Sequence, residues 1–209
     1  MMDLERLFAF ALMTFLTSVV PGPSVLFVMS QTIWRGARSG WAALIGLQVG
    51  YLFWWALAAL GLGSLARAFP LAFQLLAIGG AAYIGWLGVQ AIRHAGEAAG
   101  ADGTSARQPS MRAFRDGILV AIGNPKALIY VVALLPPFVD ADRPILPQLG
   151  LLVVIGSGLD LVAGGAYIFA GNRLARAMDR PDTRKWVDRG VGAVFAIIAV
   201  AILAELLLA

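Results

Sequence analysis

The stretch Pro21-Gly22-Pro23-Ser24 lies inside an apolar run that extends from near Leu7 to about Ile33. Proline lacks a backbone N–H and its ring clashes with the preceding turn, so two prolines around a glycine interrupt a helix. In an apolar chain this pattern predicts a membrane helix that is broken within the bilayer, and such breaks are typical of binding sites in transporters. A second break of the same kind, Asn124-Pro125-Lys126, lies in a later apolar run.

The composition indicates an integral membrane protein. Of the 209 residues, 60% are hydrophobic and only 13% are charged, whereas soluble domains contain about 25% charged residues. The net charge of +4 does not indicate nucleic-acid binding, because the basic residues lie in short loops rather than on one face with aromatic side chains. The chain has no cysteine, which excludes thiolate metal sites. We expect no metal and no cofactor.

Six apolar segments are long enough to cross a bilayer, which requires about 20 helical residues. They are 5–34, 39–62, 69–92, 114–138, 145–171 and 187–208, with breaks in the first and the fourth. We therefore expect an all-α membrane protein with a single transmembrane domain over 1–209. This domain would comprise a first repeat at about 4–93, a flexible linker at about 94–113 and a second repeat at about 114–208. Within the second span, Gly46 and Gly50 have the spacing that lets helices pack closely in lipid.

The distribution of basic residues predicts the orientation. Arg6, Arg67 and Arg143 lie on one side of the predicted spans. The loops on the other side contain Arg35, Arg38, Arg93, Arg107, Arg112, Arg115, Arg173, Arg176, Arg180, Arg184, Lys185 and Arg189. Since the more basic loops face the cytoplasm, both termini are predicted to be non-cytoplasmic. Three spans per half then give the two halves opposite orientations, which is the inverted-repeat plan of many secondary transporters.

Both breaks are predicted to lie near the middle of the bilayer. Ser24 and Asn124 are good N-cap residue types, and Pro125 would then occupy the first helical turn, where its missing N–H costs nothing. In an inverted repeat, the helices that follow the two breaks start from the same central space. Their N-terminal ends carry unpaired N–H groups and partial positive charge, which suits a carboxylate.

Lys126 is the only lysine in the predicted transmembrane region, and Asp160 is the only acid at comparable depth. A charge at mid-membrane costs about 2.5–3.5 kcal/mol on insertion scales. Two interpretations remain open: a structural Lys126–Asp160 pair, or substrate anchoring by Lys126 with proton coupling by Asp160. Gln48 and Tyr51 have a central depth and would contact either the substrate or a neighbouring helix.

Several motifs together resemble the LysE/RhtB family of amino-acid exporters, and the resemblance covers the whole chain. They are Pro21-Gly22-Pro23-Ser24-Val25-Leu26, Asn124-Pro125-Lys126, and Pro136 to Asp140 with Phe138. The resemblance implies export of amino acids or their derivatives across the bacterial inner membrane, coupled to the proton motive force. One departure is Ser24, where the family more often has Asn or Asp.

The sequence thus predicts a secondary transporter that exports a small amino acid by alternating access, and not an enzyme. The predicted substrate-binding residues are Pro21, Gly22, Pro23, Ser24, Gln48, Tyr51, Asn124, Pro125 and Lys126, with Asp160 as the proton-coupling residue. Export of a metal ion is the first alternative, although the membrane segments have no cluster of Cys, His or acidic residues to bind one. The second is a membrane protein that transports nothing. The expected partners are the substrate and the bilayer, and the sequence leaves open whether the chain forms a homo-oligomer.

Overall fold

The computed structural model describes residues 4–19, 22–61, 70–93, 95, 107–140, 143–177 and 181–208. Within these residues the regular structure is entirely helical, as predicted. The helices are α1 Leu4–Val19, α2 Pro23–Arg35, α3 Ala37–Ala59, α4 Pro70–Arg93, α5 Arg107–Ile122, α6 Pro125–Ile129, α7 Ile145–Ala177 and α8 Pro181–Leu208. A π-helical stretch, Tyr130–Leu134, and a short 3-10 turn, Pro136–Phe138, follow α6.

The helices of the described residues have the character of membrane spans. Three of them contain segments long and apolar enough to cross a bilayer, namely Ala37–Ala59, Ile145–Ala175 and Lys185–Ala204. The pair α1 and α2 meets the same criterion together, with a bend of 52° at the break between them. Large apolar side chains on these helices point outward, such as Phe8 and Val154, each 70% exposed. Such an apolar exterior fits contact with lipid.

Each of the six predicted apolar segments contains a helix or a broken pair of helices, but the bounds differ. Helix α5 begins at Arg107 rather than near 114, and α7 continues to Ala177. Residues 96–106 of the predicted linker lie outside the described residues.

The first break has a simple local structure. Gly22 is extended, with φ −133° and ψ −174°, and Pro23 follows as the first residue of α2. Pro21 lies outside the described residues. At the other end of α2, Gly36 has φ +84° and separates α2 from α3. This left-handed conformation favours glycine because it has no Cβ.

Close packing between helices depends on glycine at the α3–α5 contact. A Cβ on Gly117 would lie 2.5 Å from the carbonyl oxygen of Ala43, and one on Gly50 would lie 2.7 Å from that of Ile118. Gly46 likewise faces the carbonyl of Phe114 too closely for a side chain. The predicted role of Gly46 and Gly50 in helix packing is therefore confirmed.

Two buried apolar clusters flank the centre of the fold. One includes Phe27, Leu44, Leu47, Ile84 and Phe195. The other includes Phe10, Trp54, Val131, Leu135 and Leu152. Residues of both clusters contribute walls to the cavity described next.

Candidate functional site

A cavity of about 120 Å³ lies where α1, α2, α3, α6 and α7 meet. Its apolar walls include Val28, Leu44, Leu47, Trp54 and Trp55. Its polar lining comprises Thr14, Thr17, Ser18, Ser24, Gln48, Tyr51, Asn124, Lys126, Tyr130, Ser157 and Asp160.

The cavity brings together most of the residues that the sequence singled out. Those that line it are Gly22, Ser24, Gln48, Tyr51, Asn124, Lys126 and Asp160. Pro23 and Pro125 instead line a neighbouring, mostly apolar cavity, which also has Lys126 in its wall. Pro21 lies outside the described residues.

Ser24 connects three helices through its hydroxyl group. The hydroxyl of Tyr51 on α3 and the side-chain amide of Asn124 at the second break each donate a hydrogen bond of 2.7 Å to Ser24 Oγ. The expectation that Ser24 caps α2 is wrong, since the N-cap is Gly22 and makes no side-chain cap. With Pro23 in the first helical position, Ser24 lies one residue inside the helix, and its hydroxyl is used across the helix interface.

Asn124 is the N-cap of α6, as predicted. Its Oδ1 accepts a hydrogen bond of 3.0 Å from the backbone N–H of Lys126, and Pro125 follows as the first helical residue. The backbone N–H of Ala127 bonds to the Asn124 carbonyl at 3.0 Å. The N–H groups that we expected this break to offer to an anion are therefore already paired, and the second break instead contributes the Lys126 ammonium.

The side chain of Lys126 reaches across to the first break. Its Nζ donates a hydrogen bond to the backbone carbonyl of Thr17 in the last turn of α1. From α7, Tyr167 donates a hydrogen bond of 2.7 Å to the carbonyl of Val19. A cation near a helix C-terminus is favourable because the last carbonyls have no partner within the helix. The end of α1 is thus stabilised by side chains from α6 and α7, which the sequence did not predict.

Asp160 lies on the α7 wall of the same cavity. Its carboxyl oxygen contacts the hydroxyl of Ser18 on α1, which also lies 2.8 Å from the carbonyl of Thr14. Lys126 and Asp160 interact electrostatically. Both residues line this cavity.

Gln48 differs from the other polar residues of the cavity. Its amide faces Asp160, yet neither Nε2 nor Oε1 has a hydrogen-bond partner among the described residues, and both atoms are buried.

The contribution of α1 to the site was missed. Thr14, Thr17 and Ser18 all line the cavity, and Thr14 Oγ1 lies 2.8 Å from the hydroxyl of Tyr130, the first residue of the π-helical stretch. The spacing i, i+3, i+4 puts these three residues on one face of a helix. A single polar face on an apolar helix was the signal that could have identified them.

The fold and the site define an integral membrane protein with a polar, charged cavity enclosed by apolar helices. The family model for the LysE type translocator matches residues 15–206. The chain belongs to this family, which confirms the resemblance noted from its motifs. It is therefore a translocator and not an enzyme.

Several curated proteins are similar to the chain over most of its length. The homoserine/homoserine lactone efflux protein of Salmonella typhimurium is 34% identical over 197 residues, which cover 94% of this chain and 95% of that protein. The threonine efflux protein of Escherichia coli K12 is 28% identical over 183 residues, covering 84% and 86%. An uncharacterized membrane protein of Vibrio cholerae is 30% identical over 194 residues, covering 93% and 94%. No solved structure matches the chain.

Proposed function

We propose that the chain exports small amino acids or their derivatives from the cytoplasm across the bacterial inner membrane. The observation that carries this proposal is the presence of Lys126 and Asp160 in one cavity between apolar helices. A free amino acid carries one carboxylate and one ammonium group, so a cavity with one cation and one anion complements it. The efflux proteins named among the relatives handle homoserine, its lactone and threonine, and these names support the same class of substrate.

In this proposal Lys126 binds the substrate carboxylate. The N-terminus of α2 lies beside Lys126, since a Cβ built on the N-cap Gly22 would lie 3.9 Å from Lys126 Nζ. This helix end adds partial positive charge next to the ammonium group. Pro21 and Pro23 act by maintaining the first break rather than by contact with the substrate, and the second break depends mainly on the Asn124 cap that precedes Pro125.

Asp160 binds the substrate ammonium group in one state and a proton in the other. A proton that enters from the outer side neutralises the carboxyl group and releases the ammonium group, so that proton influx drives export. Ser18 holds the carboxyl group from α1, while Ser24, Tyr51 and Asn124 fix the neighbouring wall.

For the architecture we propose six spans arranged as two inverted repeats of three, at about 4–93 and 114–208, with both termini non-cytoplasmic. The helix contacts support this arrangement. In the repeat, α3 is equivalent to α7, and α1–α2 is equivalent to α5–α6. The packing of α3 along α5 then corresponds to the packing of α7 along α1 and α2, and both contacts are extensive. The proposal requires no homo-oligomer.

Uptake into inside-out membrane vesicles tests the function. The interior of such vesicles corresponds to the outer side, so radiolabelled threonine or homoserine should accumulate, and faster when the interior is acidic. Vesicles without the protein and vesicles with a collapsed pH gradient are the controls. Uptake no greater than in vesicles without the protein would refute export of these amino acids, and accumulation of a divalent cation instead would favour the metal-export alternative.

A further inference from the structure

The unpartnered amide of Gln48 requires an explanation. Both of its polar atoms are buried without a hydrogen-bond partner among the described residues, and its side chain lines the central cavity. Buried polar groups in native proteins are nearly always hydrogen-bonded, because a buried group without a partner loses its bonds to water and gains none in return. A group that lies in a binding cavity can instead obtain its partner from the ligand.

Three of the polar residues that line the cavity with Gln48 already have partners within the protein. Tyr51 donates to Ser24 at 2.7 Å. Lys126 donates to the Thr17 carbonyl, and Asp160 accepts from Ser18. Gln48 therefore offers the cavity an amide whose donor and acceptor have no hydrogen-bond partner among the described residues, beside the carboxyl group of Asp160.

We propose that Gln48 is a specificity-determining residue whose amide recognises a side-chain hydroxyl of the substrate. This inference rests on the proposed export of amino acids. An ammonium group only donates hydrogen bonds and a carboxylate only accepts them, and Asp160 and Lys126 complement those two groups. A hydroxyl does both, which matches the carbonyl and NH₂ of one amide.

The site should discriminate against a substrate without a hydroxyl, because such a substrate would leave the Gln48 amide without a hydrogen-bond partner. A site that hydrogen-bonds a substrate hydroxyl rejects the analogue that lacks it by up to about 10⁴-fold, because the buried polar groups then stay unpaired. Threonine and valine form a suitable pair, since they have nearly the same shape and differ by a hydroxyl in place of a methyl group. We expect the chain to take up threonine at least about tenfold faster than valine in inside-out vesicles.

The test is the ratio of threonine to valine uptake in Gln48→Leu and Gln48→Met. A ratio measured on one vesicle preparation does not depend on how much protein is inserted. Both variants should lower the ratio by about tenfold or more, through slower threonine uptake with valine uptake kept or raised. Tyr83→Phe is the control, since it removes a buried hydroxyl that does not line the cavity. It should leave the ratio unchanged.

Two outcomes would overturn the inference while leaving the proposed function intact. One is equal transport of threonine and valine by the parent chain. The other is a threonine-to-valine ratio that stays at the parental value in both Gln48 variants. If uptake of both amino acids falls equally, Gln48 only supports Asp160. Uptake of neither amino acid by the parent chain would refute export of these two amino acids and this inference with it.

Discussion

The side-chain amide of Asn124 donates a hydrogen bond of 2.7 Å to the hydroxyl of Ser24, which lies 100 residues earlier in the chain. The two residues belong to the two proline breaks, so the breaks are joined directly by their side chains. Ser24 is only 8% exposed and Asn124 only 2%. A buried donor or acceptor that loses its partner destabilises the fold. The contact therefore fixes the two broken segments relative to each other.

Replacing the shared acceptor should cost more than removing one of its donors. Ser24→Ala leaves the Tyr51 hydroxyl and the Asn124 amide without their acceptor, and we expect a loss of about 2–4 kcal/mol in unfolding free energy. Tyr51→Phe leaves Ser24 bonded to Asn124 and should cost about 1 kcal/mol. Thermal unfolding in detergent measures both. Equal destabilisation by the two variants would contradict the shared role of the Ser24 hydroxyl.

The second break should depend more on its cap than on its proline. Asn124→Ala removes both the cap of α6 and the bond to Ser24, and should cost about 1–3 kcal/mol and most of the export. Pro125→Ala keeps Asn124 in place as the cap, so the break should persist and export should fall by no more than about threefold. This comparison uses vesicle uptake normalised to the amount of inserted protein. A greater loss in Pro125→Ala than in Asn124→Ala would show that the proline itself maintains the break.

The α3–α5 contact predicts a position-dependent effect of added methyl groups. Gly46→Ala puts a Cβ against the backbone carbonyl of Phe114 on α5. A backbone atom cannot rotate away as a side chain can, so α3 and α5 would have to move apart. We expect a loss of about 1–3 kcal/mol, the usual cost of overpacking. Gly158→Ala on α7 is the control, because a Cβ there meets nothing within 4 Å among the described residues. Gly158→Ala should retain the parental melting temperature, and a similar loss in both variants would disprove the packing argument.

Features that follow from local backbone chemistry could be predicted from the sequence. Proline has no N–H and asparagine has a short side-chain acceptor, so the cap at Asn124 and the first-turn position of Pro125 depend on neighbouring residues alone. The same reasoning failed at Ser24, because Pro23 takes the first helical position and Gly22 becomes the cap. The hydroxyl of Ser24 is then free for a contact with a distant part of the chain.

Contacts across the fold could not be predicted in this way. The Lys126 ammonium bonds to the Thr17 carbonyl, 109 residues away, and a backbone acceptor has no signature in the sequence. The π-helical stretch that begins at Tyr130 also has no local signal, since its residues are ordinary apolar types. Both features place residues in the cavity wall.

The orientation of the chain can be tested independently of transport. Because the loops after the first, third and fifth predicted spans contain most of the basic residues, we expect Ala209 on the outer side and Ser105 in the cytoplasm. A periplasm-active reporter fused at Ala209 should be active, and the same reporter fused at Ser105 should be inactive. A cytoplasm-active reporter should give the opposite pattern. Fusions with reversed activities would remove the basis for the proposed inverted repeat.

Variants of Lys126 and Asp160 distinguish two hypotheses: that the two residues form only a structural charge pair, or that Lys126 anchors the substrate. Removing one member of a buried charge pair costs about 3–5 kcal/mol, because the other charge loses its partner. Lys126→Met and Asp160→Leu should therefore each reduce the amount of folded protein in the membrane. The double variant removes both charges and should recover much of that amount.

Export by the double variant then decides the role of Lys126. If the two charges only neutralise each other, the double variant should transport at the parental rate per inserted protein. We expect instead a loss of about tenfold to a hundredfold, because the substrate carboxylate would have no cation in the cavity and a charge-assisted hydrogen bond contributes about 1.5–3 kcal/mol, with tenfold for each 1.4 kcal/mol. Lys126→Arg keeps the charge but changes a point-like ammonium into a planar fork, so it should fold well and transport at an intermediate rate. Parental transport by a well-inserted Lys126→Met, Asp160→Leu protein would show that Lys126 serves only to hold α1, through Thr17, and to balance Asp160.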